Sequence, residues 1–447
     1  MPTSEPLYIV ATLAASVAGL LLLVIRAKVP AFFALILVSL VAGLMLGLEP
    51  SAVVASIQNG MAGVLGFIAV VVGLGAILGA VLEQSGGVAA LSNRLAGGSV
   101  KHVPTKMSFL GLLVAIPVFF DVALVILMPM VKRLAGTIQR RPLYVAAPLL
   151  AGLAAAHAFI PPTPGPIAVA ALLDADLGLV ILAGLIAAVP AVIFGGVVFA
   201  RMQYNHPLPA EQSGSGVAHD EPPSTNLNFA AAFAALAFPI LLVASGTVLK
   251  MTLGDDQVPE FVLFFSHPFV ALLLTVGLYY TFAATILGLP SDDLNRASMK
   301  SLEPAGAVVL VTGAGGAFKQ VLIDSEAGAR IAELAASANV SVLVFAFMIA
   351  GLVRVIQGSA TVAMITAAGF TAPLLAVSDL SEFDRALTVI SIAAGASILS
   401  HVNDSGFWLV SKYLDLSVNE TLKSWTIVST IVGGAGFITA LVLSVLF

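Results

Sequence analysis

Ser397-Ile398-Leu399-Ser400-His401-Val402-Asn403-Asp404-Ser405-Gly406-Phe407-Trp408 lies between two apolar runs, 387–396 and 407–410, inside a segment long enough to be a membrane helix. A histidine, an asparagine, an aspartate and serines at mid-membrane depth are costly, by about 3 kcal/mol for one ionised side chain on insertion scales. Gly406 follows them directly. A helix can unwind there and turn its freed backbone groups toward a cavity. The stretch therefore predicts one half of a polar site buried inside a polytopic membrane protein.

The composition agrees. Of 447 residues, 59% are hydrophobic and 10% charged, against roughly 25% charged in soluble domains. A net charge of −5 argues against nucleic acid as a partner and leaves membrane lipid as the surroundings. The absence of cysteine excludes disulfides, thiol catalysis and cysteine metal sites. The first apolar run, 7–25, lacks a basic leader and reads as a true span rather than a cleaved signal.

A span needs about 20 apolar residues. On that rule spans are predicted at 7–25, 29–48, 61–82, 143–173 (broken), 177–200, 229–249, 260–288, 304–323, 386–411 (broken) and 425–447. The run 203–228, with Pro207, Pro209, Ser213-Gly214-Ser215-Gly216 and Pro222-Pro223, has the composition of a flexible linker. It divides the chain into an N-terminal repeat, 1–202, and a C-terminal repeat, 229–447.

Two segments, 107–131 and 341–376, fit simple crossings poorly. Lys101 and Lys106 precede the first, and Lys132, Arg133, Arg140 and Arg141 follow it. Positive charge favours the cytoplasmic side, and one crossing cannot put both flanks there. A re-entrant hairpin can, turning at Ile116-Pro117-Val118-Phe119-Phe120-Asp121, where proline removes a helix hydrogen bond. Arg26 and Lys28 after the first span place the N-terminus outside on the same rule.

A repeat supports this layout. Gly73, Gly75, Val81, Leu82, Ser85 and Ala89 match Gly313, Gly315, Val321, Leu322, Ser325 and Ala329, each 240 positions later (321 − 81 = 240). Each half then offers a hairpin, the second turning near Arg354-Val355-Ile356-Gln357-Gly358-Ser359. Each next offers a broken span with a histidine, His157 or His401. Five crossings plus one hairpin per half is an odd number, so the halves would be inverted. The fold expected is all-α, an inverted repeat with broken helices at mid-membrane, the plan of many secondary transporters.

The motifs Ile116-Pro117-Val118-Phe119-Phe120-Asp121-Val122, His157-Ala158-Phe159-Ile160-Pro161-Pro162-Thr163-Pro164-Gly165-Pro166, Gln357-Gly358-Ser359-Ala360-Thr361-Val362-Ala363-Met364 and Ser400-His401-Val402-Asn403-Asp404-Ser405-Gly406-Phe407-Trp408 resemble those of the gluconate permease family, the gluconate:proton symporters. The resemblance runs from about the first span to the last. It implies proton-driven symport of gluconate, or a related small hydroxylated carboxylate, across a bacterial inner membrane. It also implies kinship with folds that work as dimers by an elevator motion, so a second copy of the chain is an expected partner. The family pattern commonly has Glu where Asp121 stands and His where Thr163 stands. Those departures leave glycerate, 2-keto-3-deoxygluconate and D-serine open as substrates.

The expected substrate-binding set is Gln357, Gly358, Ser359 and Thr361 at the second hairpin tip, His401, Asn403 and Ser405 at the second broken span, Thr163 and Gly165 at the first, and Arg354. A half-helix beginning at Ser359 would turn its positive end toward an anion, although small residues there would also serve close helix packing. Arg354 reads either as a carboxylate partner or as a buried charge paired to an acid such as Asp404. Asp121, Asp404 and His157 are the candidates for proton coupling, Asp404 favoured because His401 and Asn403 adjoin it. Sodium coupling stays open, since unwound carbonyls near Gly358 and Gly406 could hold an ion. No cofactor is expected, and the histidines lack ligand spacing for a metal. Glycines 313, 315 and 316 read as packing glycines, because no strand precedes them. An intramembrane Ser/His/Asp enzyme is the competing reading, disfavoured because no nucleophile elbow is visible.

Overall fold

The computed structural model describes residues 6–96, 100–116, 119–205, 227–253, 257–327, 341–378, 380–402 and 404–447. Every described element is helical. Among the described residues, seven helices are long and apolar enough to cross a membrane. Two of the predicted spans are shorter helices, Pro6–Leu21 and Ala31–Met45.

Two very long helices, Pro50–Gln84 and Ser291–Asp324, pack along each other in the middle of the molecule. At 1.5 Å per residue each is about 50 Å long, against a hydrocarbon core of about 30 Å. Hydropathy found only their apolar parts, 61–82 and 304–323. The polar starts, with Ser51, Ser56, Gln58 and Asn59 in one and Asp292, Asp293, Arg296 and Lys300 in the other, continue the same helices. Gly60 and Gly316 are what let the backbones approach: a Cβ added to Gly316 would fall 2.5 Å from the Gly60 carbonyl oxygen. Gly313 and Gly315 likewise face Leu65 and Ile365, as packing glycines should.

Both long helices stop in the same way, 240 residues apart (324 − 84 = 240). Ser85 and Ser325 close the last turn, their amides donating to Val81 O and Val321 O. Gly86 and Glu326 then turn away with positive φ. Beyond the stop the first half has a short helix, Gly87–Ala96, while residues 328–340 of the second half lie outside the described ones; from there on the order of elements is the same in each half. A helix–break–helix pair begins it, Val103–Val114 with Phe120–Thr137 and Val342–Gln357 with Ala360–Val377. A broken helix follows, Pro142–Phe159 with Pro164–Leu172 and Glu382–Gly395 with Ser405–Tyr413. A long last helix closes each set, Leu177–Tyr204 and Val418–Leu446.

The segment expected to form the first hairpin breaks where the sequence predicts, helix ending at Val114 and resuming at Phe120, while Pro117 and Val118 lie outside the described residues. Its two ends gather at one place. Arg201 Nη2 donates to Lys101 O at 3.1 Å, and Arg140 Nη1 donates to Asn205 O at 2.7 Å. Both flanks of the hairpin therefore meet the same end of Leu177–Tyr204. The second hairpin breaks at Gly358, whose φ of 93° suits glycine, and Ser359 caps the next helix by accepting from Val362 N. The predicted span 260–288 is instead Glu260–Ser266 and Pro268–Thr285, with Pro268 starting the second piece after His267. Within the predicted linker, 203 and 204 finish a helix and Asn228 caps the next, Oδ1 accepting from Ala231 N at 2.8 Å.

Candidate functional site

The breaks of both hairpins and both broken helices open onto one cavity of about 300 Å³. Four helices begin there. Phe120, Pro164, Ala360 and Ser405, each the first residue of its helix, all line it. The amides of a first helical turn have no partner inside the helix and carry partial positive charge. Four such ends around one volume make an anion-attracting site, weakest at Pro164, where Pro164 and Pro166 lack N–H groups.

Arg354 stands at the same place, in the last turn before the second hairpin's break. It is 4% exposed. Its Nη2 lies 2.5 Å from Asp404 Oδ2, and its Nη1 donates to Gly358 O. Asp404 is held on every side: Ser400 Oγ donates to Oδ2, and Gly406 N donates to Oδ1 at 3.1 Å, capping the helix that follows. Ser400 in turn accepts from Trp425 Nε1 at 2.6 Å and, through its carbonyl, from Thr426 Oγ1. Arg354 forms the buried pair with Asp404 and also lines the cavity.

Asp121 is in a different position. It lines the cavity, is exposed to it, and has no hydrogen-bond or ion-pair partner among the described residues. His157 lines the cavity too, near the end of Pro142–Phe159, with Nδ1 buried and unpartnered. Ser359, Thr361 and Ser405 complete the polar lining predicted from sequence.

Other predicted residues are not among those lining the cavity. His401 Nε2 pairs with Val355 O at 3.0 Å. Gln357 has a buried, unpartnered Oε1 and does not line the cavity, and Gly358 serves as the left-handed helix cap. Thr163 Oγ1 donates to Ile160 O at 2.8 Å and steadies the first break. Gly165 packs on Met364, whose Sδ would lie 2.6 Å from an added Cβ. Asn403 lies outside the described residues.

The sequence reading missed the wall supplied by Phe120, Trp425 and Ser429. Its signal was present in Ser424-Trp425-Thr426-Ile427-Val428-Ser429-Thr430, where four hydroxyl side chains and a tryptophan open a span read as plain. A second cavity of about 540 Å³ adjoins the first, sharing Phe119 and Pro304 with it, and is lined by Glu83, Asp293, Arg296, Lys300 and Glu303. Among the described residues, no three His, Asp or Glu side chains are grouped to hold a metal ion.

Fold and site together define a multi-pass helical membrane protein with a polar site built from broken helices in both halves. Residues 7–446 match the sequence profile of the GntP family permeases, and the chain belongs to that family. It is 37% identical to the high-affinity gluconate transporter of Escherichia coli K12, over 98% of this chain and 99% of that one. It is 36% identical to a gluconate permease of Pseudomonas aeruginosa, over 99% and 98%. It is 35% identical to the Gnt-II system L-idonate transporter of Escherichia coli K12, over 97% and 98%. Among solved structures it is similar to the YdaH transporter of Alcanivorax borkumensis, described as having an unusual topology, with a TM-score of 0.67 at 15% identity over 93% of this chain and 98% of that one. The protein is a gluconate-permease homologue of the bacterial inner membrane.

Proposed function

We propose that this protein is a secondary active transporter that takes up gluconate, or a closely related sugar acid, by proton symport. The observation that carries this reading is the cavity where four helix N-termini converge. Such a site suits one carboxylate, and the hydroxyls of Ser359, Thr361, Ser405 and Ser429 suit a polyhydroxy chain. The names of the relatives, gluconate and L-idonate transporters, support the same substrate class.

The matched order of elements in the two halves supports an inverted repeat with two re-entrant hairpins, the first half at 1–202 and the second at 229–447. Alternating access then follows from one half of the site moving against the other. Asp121 is the better proton carrier of the two acids. Its carboxyl faces the cavity without a partner, whereas Asp404 is committed to Arg354, Ser400 and Gly406. His157, adjoining the cavity, is the second candidate.

A carrier fits these residues better than an enzyme. Ser400 donates to Asp404, and the His401 Nε2 bond goes to a backbone carbonyl, so Ser, His and Asp do not form a nucleophile relay. The test is uptake of labelled gluconate by proteoliposomes, with proton and sodium gradients imposed separately. Accumulation under a proton gradient alone is expected. Accumulation only under a sodium gradient would replace the coupling ion, and no uptake of any sugar acid would remove the reading.

A further inference from the structure

Phe120 and Trp425 stack with ring centroids 5.2 Å apart and planes 30° from parallel. They come from different halves, Phe120 from the start of the second helix of the first hairpin and Trp425 from the last membrane helix. Both line the cavity, though only 9% and 4% of their surfaces are exposed. The pair is held firmly. Trp425 Nε1 is committed to Ser400 Oγ, which fixes the ring and removes its only donor from the cavity. Phe120 sits against the second break, where a Cβ added to Gly406 would meet its ring at 3.4 Å. With Met364 and Phe119 the two rings give the cavity an apolar side beside its hydroxyl and carboxylate groups.

An anion site alone has no use for such a surface. A linear hydroxy acid does, because each carbon beyond the carboxylate carries C–H as well as O–H groups, and covering the C–H edges removes apolar area from water. A three-carbon acid offers about half the C–H surface of a six-carbon one, and so gains about half as much from the same wall.

We propose that the Phe120–Trp425 pair is a platform for the substrate's carbon chain and sets a preference for six-carbon over three-carbon hydroxy acids. The proposal rests on the sugar-acid reading above and deepens it. It separates hexonates from glycerate on a feature that the carboxylate-binding groups cannot sense.

The test measures binding of glycerate, a four-carbon aldonate and gluconate to the purified full-length protein, as wild type and as Phe120→Ala, Trp425→Ala and Trp425→Phe. Wild-type affinity is expected to rise with chain length. Either Ala variant should flatten that rise, with gluconate weakened about tenfold and glycerate, which gains about half as much free energy from the wall, about threefold. Trp425→Phe, which keeps a ring and loses the N–H, should retain most of the chain-length dependence. A dependence as steep in both Ala variants as in the wild type would overturn the platform, as would an equal loss for all three acids. So would Trp425→Phe behaving like Trp425→Ala, which would reduce the indole to its bond with Ser400. Failure of the wild type to bind any of the acids would instead remove the sugar-acid reading itself.

Discussion

Arg354 Nη2 lies 2.5 Å from Asp404 Oδ2, and this buried pair ties the tip of the second hairpin to the break of the second broken helix. Neither charge is left alone, since Arg354 also holds the Gly358 carbonyl and Asp404 also caps the helix at Gly406. The two charges cancel, so the attraction of the cavity for an anion comes chiefly from the helix N-termini around it.

Breaking that pair from one side should cost more than removing it. A single substitution leaves an uncompensated buried charge, about 3–5 kcal/mol in comparable pairs, whereas apolar replacement of both partners is often nearly neutral. Arg354→Met and Asp404→Leu should each lower the thermal unfolding midpoint in detergent, and the double variant should recover most of the loss. Strict additivity of the two effects would mean that the pair does not hold the breaks together.

The hydroxyls at the second hairpin tip should bind substrate directly. Ser359→Ala and Thr361→Ala should each weaken gluconate binding by about 1 kcal/mol, roughly fivefold, if each removes one hydrogen bond. Ser359 also caps its helix, so Ser359→Asp, which restores a cap while adding a negative charge beside the bound anion, should bind worse than Ser359→Ala. Unchanged affinity in both Ala variants would return this tip to a packing role.

The first hairpin makes a topological prediction. The chain contains no cysteine, so single cysteines at the exposed positions Lys101 and Thr137 report accessibility without further changes. Both should be labelled from the cytoplasmic side only, because the two ends of the hairpin meet the same helix end at Arg201 and Asn205. Labelling from opposite faces would make 103–137 a crossing and end the inverted-repeat argument.

What the sequence could and could not reveal follows from the forces involved. The breaks at Pro161-Pro162 and Gly358 were legible because proline and glycine act on their own backbone, whatever surrounds them. The break expected at Gly406 lies before it, between Gly395 and Ser405, and Gly406 belongs to the first turn of the next helix, capped by Asp404. The full lengths of the two long helices were not legible, because hydropathy measures side-chain apolarity and the polar starts at Ser51 and Ser291 interrupt the apolar run while remaining helical. Partner choice was the least legible feature. His401 and Asp404 look equivalent in a string of polar residues, yet one turns to Val355 O and the other to Arg354, 50 positions away. The stacking of Phe120 on Trp425 was hidden for a related reason: the hydroxyl-rich run around Trp425 marks its own helix as unusual, but only the fold brings Phe120 to it.

Proton coupling gives the sharpest separation between the two acids. A symporter must let its carrier acid exchange a proton between the two sides, while exchange of substrate for substrate needs no net proton movement. Asp121 faces the cavity with no partner to hold it, so Asp121→Asn should abolish accumulation against a gradient yet spare counterflow in the same vesicles. Asp404 holds Arg354 at the cavity wall, and Asp404→Asn frees Arg354 from its charge partner there. It should therefore impair uptake and counterflow together. The paired measurement distinguishes these outcomes in one preparation. Should Asp121→Asn still concentrate substrate under a proton gradient, Asp121 is not the carrier. His157 would be the next group to test, by His157→Gln in the same two assays, since its unpartnered ring nitrogen lies at the wall of the same cavity.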